Sequence, residues 1–283
     1  MSNSKTINDR SLAARDAGRP LRRLRLLVLA LGCAVISACA GPRPPAPAPA
    51  PPAGWQAAIG SLDVTDSPEI CTAVLVRADL IATTSHCLRP KGRPAVASQL
   101  VFTSSASRDI RARGVAVVAE GGSVVPGSIK PDQAQTDWAL VRISPSISKV
   151  GPIALAPISA SMARAEIAKG ARFYSAGYGQ GAKDELRSHS GCNLLPPDPN
   201  GVTEGELFFA TSCIIRLGDS GGPVMLIEGG TPKLIGLIVG FARQPSTGES
   251  IGIVVSAKAF APYLGTGLVG QLFPIVPEKF PMN

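Results

Sequence analysis

At 283 residues, 45% hydrophobic and 17% charged, the chain can bury one large core or two small ones, which excludes intrinsic disorder and a minimal disulfide scaffold. Aromatic residues make up 5% and histidines number two, too few for a multi-histidine metal centre or a nucleic-acid stacking surface, so neither metal, cofactor nor nucleic-acid partner is expected. The net charge of +8 belongs mainly to residues 1–38, which hold seven Lys/Arg against two acids; the 21 basic and 18 acidic residues that remain make no electrostatic case for a polyanion.

Taken in chain order, Arg22, Arg23 and Arg25 precede a thirteen-residue apolar run over 26–38, shorter than the ~20 residues of a spanning helix, and 1–38 reads as a signal peptide. Its end, Ile36-Ser37-Ala38-Cys39, resembles the lipobox of bacterial lipoproteins, which implies cleavage before Cys39 and a lipid anchor on it. Residues 41–54 come next, with seven prolines between Pro42 and Pro52. Such a segment favours extended polyproline II and offers few donors to a sheet, so 39–54 is expected to be a semi-rigid tether of roughly 40 Å rather than a recognition motif. The expected location is the bacterial cell envelope, periplasm or outer membrane, with plain secretion as the alternative.

From Trp55 to Asn283 the pattern is one of short β runs broken by Gly, Pro and Asp. The clearest lie at 72–76, 80–84, 115–118, 138–143, 171–176, 206–211, 223–227, 233–241 and 251–255, with Gly229-Gly230 able to turn a hairpin. A short helix is expected within 256–273. The stretch 55–283 is therefore read as one all-β domain, a sandwich or a barrel pair. Setting aside Cys33 in the leader and Cys39 leaves four cysteines and three possible pairings. The sequential one, Cys71–Cys87 with Cys192–Cys213, is the cheapest to close and restrains the unfolded chain by ~3 kcal/mol per bridge in an oxidising compartment. A zinc site is disfavoured, since no Cys-x-x-Cys occurs.

A serine hydroxyl needs a neighbouring base, the base an orienting carboxylate, and the oxyanion fixed donors. Gly218-Asp219-Ser220-Gly221-Gly222-Pro223 presents Ser220 as a nucleophile among glycines, with the Gly218 and Ser220 amides aimed at the developing charge. As G-x-S-x-G this could be an α/β-hydrolase elbow, but that arrangement puts its histidine after the serine, and none follows His189. The base must be His86 or His189. His86 ends a β run beside a cysteine; His189 lies in a polar, turn-like stretch expected to be solvated.

Together these segments resemble the chymotrypsin/trypsin-like serine peptidases, in the chain order His, Asp, Ser. Thr84-Ser85-His86-Cys87 is similar to the family's histidine box with Ser85 in place of the usual alanine, Thr136-Asp137-Trp138-Ala139-Leu140-Val141 to its aspartate box, and Gly218 to Pro223 to its serine box. Gly177-Tyr178-Gly179 and the Cys192…Cys213 pair look like the bacterial branch. The resemblance implies two packed six-stranded antiparallel β-barrels with the active site in the cleft between them, His86, Asp137 and Ser220 as triad, and a protein or peptide substrate. It also implies that Cys71 and Cys87 bridge the strands around the histidine.

Three departures stand out. The animal members activate when a freed amino terminus pairs with the acid preceding the serine, here Asp219, but no matching start follows the linker; a backbone amide or Arg216 is expected to serve Asp219 instead. The position that reads basic P1 residues in trypsin-like members is Ile214, which implies an apolar or small P1 group, with Val239, Gly240 and Phe241 also shaping the cleft. Relatives that have lost activity persist as binding modules, so an envelope-anchored, catalytically silent homologue is the alternative to a peptidase.

Overall fold

Why β runs this short become stable strands is answered by the pairing they find. The computed structural model describes residues 54–122, 131–179, 185–189, 191–197, 203–243 and 248–265. The leader, Cys39 and the linker as far as residue 53 lie outside the described residues.

Six strands close the first barrel: β1 (Ile59–Val64), β2 (Ile70–Arg77), β3 (Leu80–Thr83), β4 (Leu100–Ser104), β5 (Arg111–Glu120) and β6 (Ala139–Ser144), in the order β1-β2-β3-β6-β5-β4, with every pair antiparallel. Closure removes the open edges a sheet of this size would otherwise present. Leu62, Leu75, Ile81, Leu100, Phe102 and Leu140 fill the interior at 1% exposure or less, each burial stabilising by about 2 kcal/mol. Along β5 the polar and apolar faces alternate at first, with Ala112 and Gly114 inward and Arg111 and Arg113 outward. Two register shifts against β6 then bend the strand around the barrel.

The second sheet holds β7 (Ala154–Leu155), β8 (Arg172–Gly177), β9 (Arg187–His189), β10 (Phe208–Thr211), β11 (Pro223–Glu228), β12 (Thr231–Arg243) and β13 (Ser250–Ser256), in the order β10-β13-β12-β11-β8-β9 with β7 parallel to β12. Seven strands stand where six antiparallel ones were expected, the added one being a two-residue parallel pairing from the segment that enters this half. The gap between β9 and β10 is closed by the segment on the C-terminal side of β9. The Leu195 amide donates to the Ala210 carbonyl (3.0 Å), the Ser212 amide to the Asn193 carbonyl (2.9 Å), and the Cys192–Cys213 disulfide spans the same seam. Gly229 and Gly230, at φ +52° and +86°, turn the β11–β12 hairpin as expected.

All nine runs read from the sequence coincide with strands, whereas β1, β4, β7 and β9 were not foreseen. β1 carries Gly60, Ser61 and Asp63, and its membership is decided by pairing with β2 and β4 on either side. The helix α1 (Pro131–Ala134) is a single turn. Helix α2 (Ala160–Ala168) was also not foreseen, although its alanines favour helix and Ser159 caps it by accepting the Met162 amide. The short helix expected near the C-terminus is α3 (Pro262–Gly265), which brings Tyr263 to 4.9 Å and the preceding Phe260 to 6.2 Å from Trp138 of the first half. Trp55, ahead of β1, meets Tyr174 of β8 edge-on at 4.9 Å, a second contact between the halves. Among the described residues no helix is long and apolar enough to cross a membrane.

Candidate active site

Strand β3 stops at Thr83, and the chain turns through one 3₁₀ turn, Ser85–Leu88, which carries His86 away from the barrel wall. Asp137 lies just ahead of β6, the strand that pairs with β3, so strand pairing itself brings the two together. The contact has two points. The His86 backbone amide donates to Asp137 Oδ1 (3.0 Å), and the ring Nδ1 lies 2.6 Å from Oδ2. Asp137 is wholly buried and the His86 side chain is 12% exposed. An ionised carboxylate can only accept, so the proton belongs on Nδ1 and the Nε2 lone pair is left free to act as a base. Ser85, the residue replacing alanine, is buried and donates its hydroxyl to the Trp138 carbonyl (2.6 Å), tying the two segments a second time.

The disulfide Cys71–Cys87 joins β2 to the histidine turn. Cys71, His86 and Cys87 would offer ligand atoms within 4.8 Å of one another, but the two sulfurs are bonded to each other and so supply no thiolates.

Ser220 sits in the turn between Arg216 and Pro223. Gly218 has φ +102°, and a Cβ there would fall 2.4 Å from the Tyr178 carbonyl oxygen, so both backbone and space require glycine. The Asp219 amide donates to the Arg216 carbonyl (3.0 Å), the Gly221 amide to Ile238 (2.7 Å) and the Gly222 amide to Asp219 (2.8 Å). Among the described residues the amides of Gly218 and Ser220, the expected oxyanion donors, meet no protein acceptor. The Ser220 hydroxyl donates to the Val239 carbonyl (3.2 Å) and forms no hydrogen bond to His86. Its main chain is nonetheless held against the histidine turn: the Thr72 amide donates to the Ser220 carbonyl (2.8 Å), and Cys87 Sγ lies 3.8 Å from the same oxygen.

Thr72 was not singled out in the sequence. Fully buried on β2, it also donates its hydroxyl to the Gly218 carbonyl (2.8 Å) and accepts the Tyr178 amide (3.0 Å), so one first-barrel residue clamps two turns of the second half. No local pattern marks it, because its partners lie 146 and 106 residues away.

Asp219 is buried, and the Arg216 backbone amide donates to its Oδ2 (2.8 Å). A backbone amide was one of the donors expected; the second group at this oxygen, His189, was not expected, and its Nε2 lies 3.1 Å away. The expectation of a solvated His189 is corrected: it stands on β9 with its side chain 12% exposed and Nδ1 3.2 Å from Ser175 Oγ. A polar surrounding sequence hid this because β9 is only three residues long and finds its place by pairing with β8.

Of the residues expected to shape the substrate cleft, Val239 and Gly240 are buried on β12 and Phe241 is 49% exposed, opposite Gly252 of β13. Ile214 is 72% exposed and lines a cavity of about 330 Å³ together with His189, Arg216 and Asp219. The buried aliphatic neighbour is Ile215, whose Cγ1 would stand 2.7 Å from a Cβ built on Gly252. Leu217, next to Gly218, is 81% exposed. Close by, burial pushes the Tyr174 phenol above its ordinary range, opposed by a smaller effect from its hydrogen bond with Ser188.

Residues 71–237 match the family model described as the trypsin-like peptidase domain, a stretch that contains His86, Asp137 and Ser220. A search of the curated proteins returns no significant match.

Proposed function

The chain belongs to the trypsin-like peptidase family, and from that premise we propose that it is a serine endopeptidase whose triad is His86, Asp137 and Ser220. The observation that carries this reading is the two-point contact between His86 and the buried Asp137 carboxylate, which leaves Nε2 free. Ser220 rotates about its Cα–Cβ bond from the Val239 carbonyl to Nε2 when a substrate carbonyl arrives, in keeping with catalytic hydrogen bonds that tighten only in the complex. His86 takes the hydroxyl proton as oxygen attacks the scissile carbon, and Asp137 stabilises the imidazolium. The Gly218 and Ser220 amides receive the oxyanion, His86 passes its proton to the leaving amine, and water repeats the sequence on the acyl-enzyme.

The substrates are proteins or peptides. For the P1 residue the reading is an apolar or small side chain: neither Ile214 nor its buried neighbour Ile215 offers a carboxylate, and although Ile214 is 72% exposed, an unpaired cation buried against Ile215 would be costly. Two disulfides fit an exported protein in an oxidising compartment. The finer location rests on the sequence: a leader cleaved before Cys39, a lipid on that cysteine, and a proline-rich tether that holds the peptidase domain off the envelope membrane.

The test is covalent labelling with a fluorophosphonate probe alongside casein hydrolysis. Adduct formation that disappears in Ser220→Ala and falls strongly in His86→Ala is the expected result; a wild-type protein that neither labels nor cleaves would identify the silent homologue instead.

A further inference from the structure

Asp219 precedes the nucleophile and is wholly buried, yet only one of its oxygens is served. Oδ2 takes the Arg216 amide and faces His189 Nε2, while Oδ1 has no hydrogen-bond partner among the described residues and packs against backbone: a Cβ on Gly177 or Gly179 would fall 2.5 or 2.7 Å from it. A buried carboxylate is stable only when paired, and His189 is the one side chain that supplies a donor here among the described residues. His189 is in turn braced through Nδ1 by Ser175, itself fully buried on β8.

We propose that His189 is a positioning residue for the oxyanion site, acting through Asp219. The Arg216 amide donates to the Asp219 side chain while the Asp219 amide donates to the Arg216 carbonyl, so the carboxylate and the 216–219 turn are locked together. Asp219 shares the 219–220 peptide with Ser220, so its orientation sets the direction of the Ser220 amide directly, and it reaches the Gly218 amide, which belongs to the preceding 217–218 peptide, through the Gly218 backbone. Without the His189 donor, a poorly paired carboxylate gains by swinging into the cavity of about 330 Å³ that it already lines with His189 and Arg216. The turn then rotates with it, and the oxyanion donors are lost. The inference rests on the peptidase reading.

Because oxyanion donors act on charge that develops in the transition state, the loss falls on kcat and leaves KM nearly unchanged. The experiment uses the full exported protein, with active sites titrated by a fluorophosphonate so that turnover is counted per competent site. His189→Ala is expected to lower kcat per titrated site by about 10²-fold, the scale of one oxyanion donor, with KM within about twofold. His189→Gln, which keeps an N–H near the Nε2 position, recovers most of the loss. His189→Ala added to Asp219→Asn costs little beyond Asp219→Asn alone, since both act on one carboxylate. Should His189→Ala fail to fold, His189→Gln against His189→Met makes the same comparison between side chains of similar length with and without a donor.

A purely structural role would lower the number of titratable sites or the melting temperature and leave kcat per site unchanged. That result, or a Gln variant no better than Ala or Met, or additive losses in the double variant, overturns the inference while wild-type turnover keeps the peptidase reading intact. A wild-type protein without labelling or turnover removes both.

Discussion

Replacing Thr72 by valine keeps the shape of a buried side chain and deletes one hydroxyl. That hydroxyl donates to the Gly218 carbonyl at 2.8 Å and accepts the Tyr178 amide at 3.0 Å, and all three groups lie in buried surroundings. The substitution therefore leaves two buried main-chain groups unsatisfied, each costing about 1–3 kcal/mol, so Thr72→Val should destabilise by ~2–6 kcal/mol. At roughly 2–4 °C per kcal/mol for a domain of this size, the melting temperature falls by about 4–24 °C. Thr72→Ser is the control. It retains both bonds and removes one buried methyl, a loss of ~1 kcal/mol. Urea unfolding of the three proteins at one pH, followed by tryptophan fluorescence, supplies the comparison. Valine should be the worse variant by at least 1 kcal/mol, and its turnover should fall as well, because the 218–219 peptide, which lies between the two proposed oxyanion amides, loses the bond to its carbonyl that orients it. Equal stabilities for valine and serine would refute the clamp: the hydroxyl would then be contributing nothing that a methyl does not.

Removing only the orienting carboxylate, Asp137→Asn, should leave the barrel folded while turnover drops on the order of 10⁴-fold, measured with a chromogenic peptide, because the amide does not enforce a proton on Nδ1. The Cys192→Ser/Cys213→Ser variant should lose about 3 kcal/mol in denaturant titration, the loop-closure value for a span of 21 residues, since this bridge spans the seam between β9 and β10. At alkaline pH, Tyr174 makes its own contribution. Its folded-state value is raised, so the folded protein holds the phenolic proton longer than the unfolded chain does, and stability falls as pH rises past about 10 towards the folded value. Comparing denaturant midpoints at pH 9 and pH 11 should show a smaller drop in Tyr174→Phe than in wild type; equal drops would exclude the effect.

Where a stretch of sequence meets its partner nearby or carries a strong pattern, structure and expectation agree. The β11–β12 hairpin declares itself through Gly229-Gly230. The nine apolar runs become strands because their own alternation or uninterrupted apolarity suits a barrel wall. The histidine and serine segments are legible only in company, because a histidine ending a β run or a glycine-rich serine turn has other uses when it stands alone. Strands β1 and β9 were hidden, since polar or glycine-containing segments become strands only when neighbours offer them hydrogen bonds, whereas β4 opens on Leu100, Val101 and Phe102, a pattern that suits a strand by itself.

The cysteine pairing that costs least and the all-β class were set by local composition and spacing, while the proposed triad residues were marked by three short motifs that resemble one family. Which groups hold the Ser220 turn was decided in three dimensions. Thr72 reaches Gly218 from 146 residues away, and His189 reaches Asp219 from a three-residue strand across 30 residues. Hydrogen bonds of this kind are selected by the meeting of two surfaces after the chain has folded. Neither partner needs a distinctive neighbourhood of its own, so nothing along the chain announces them.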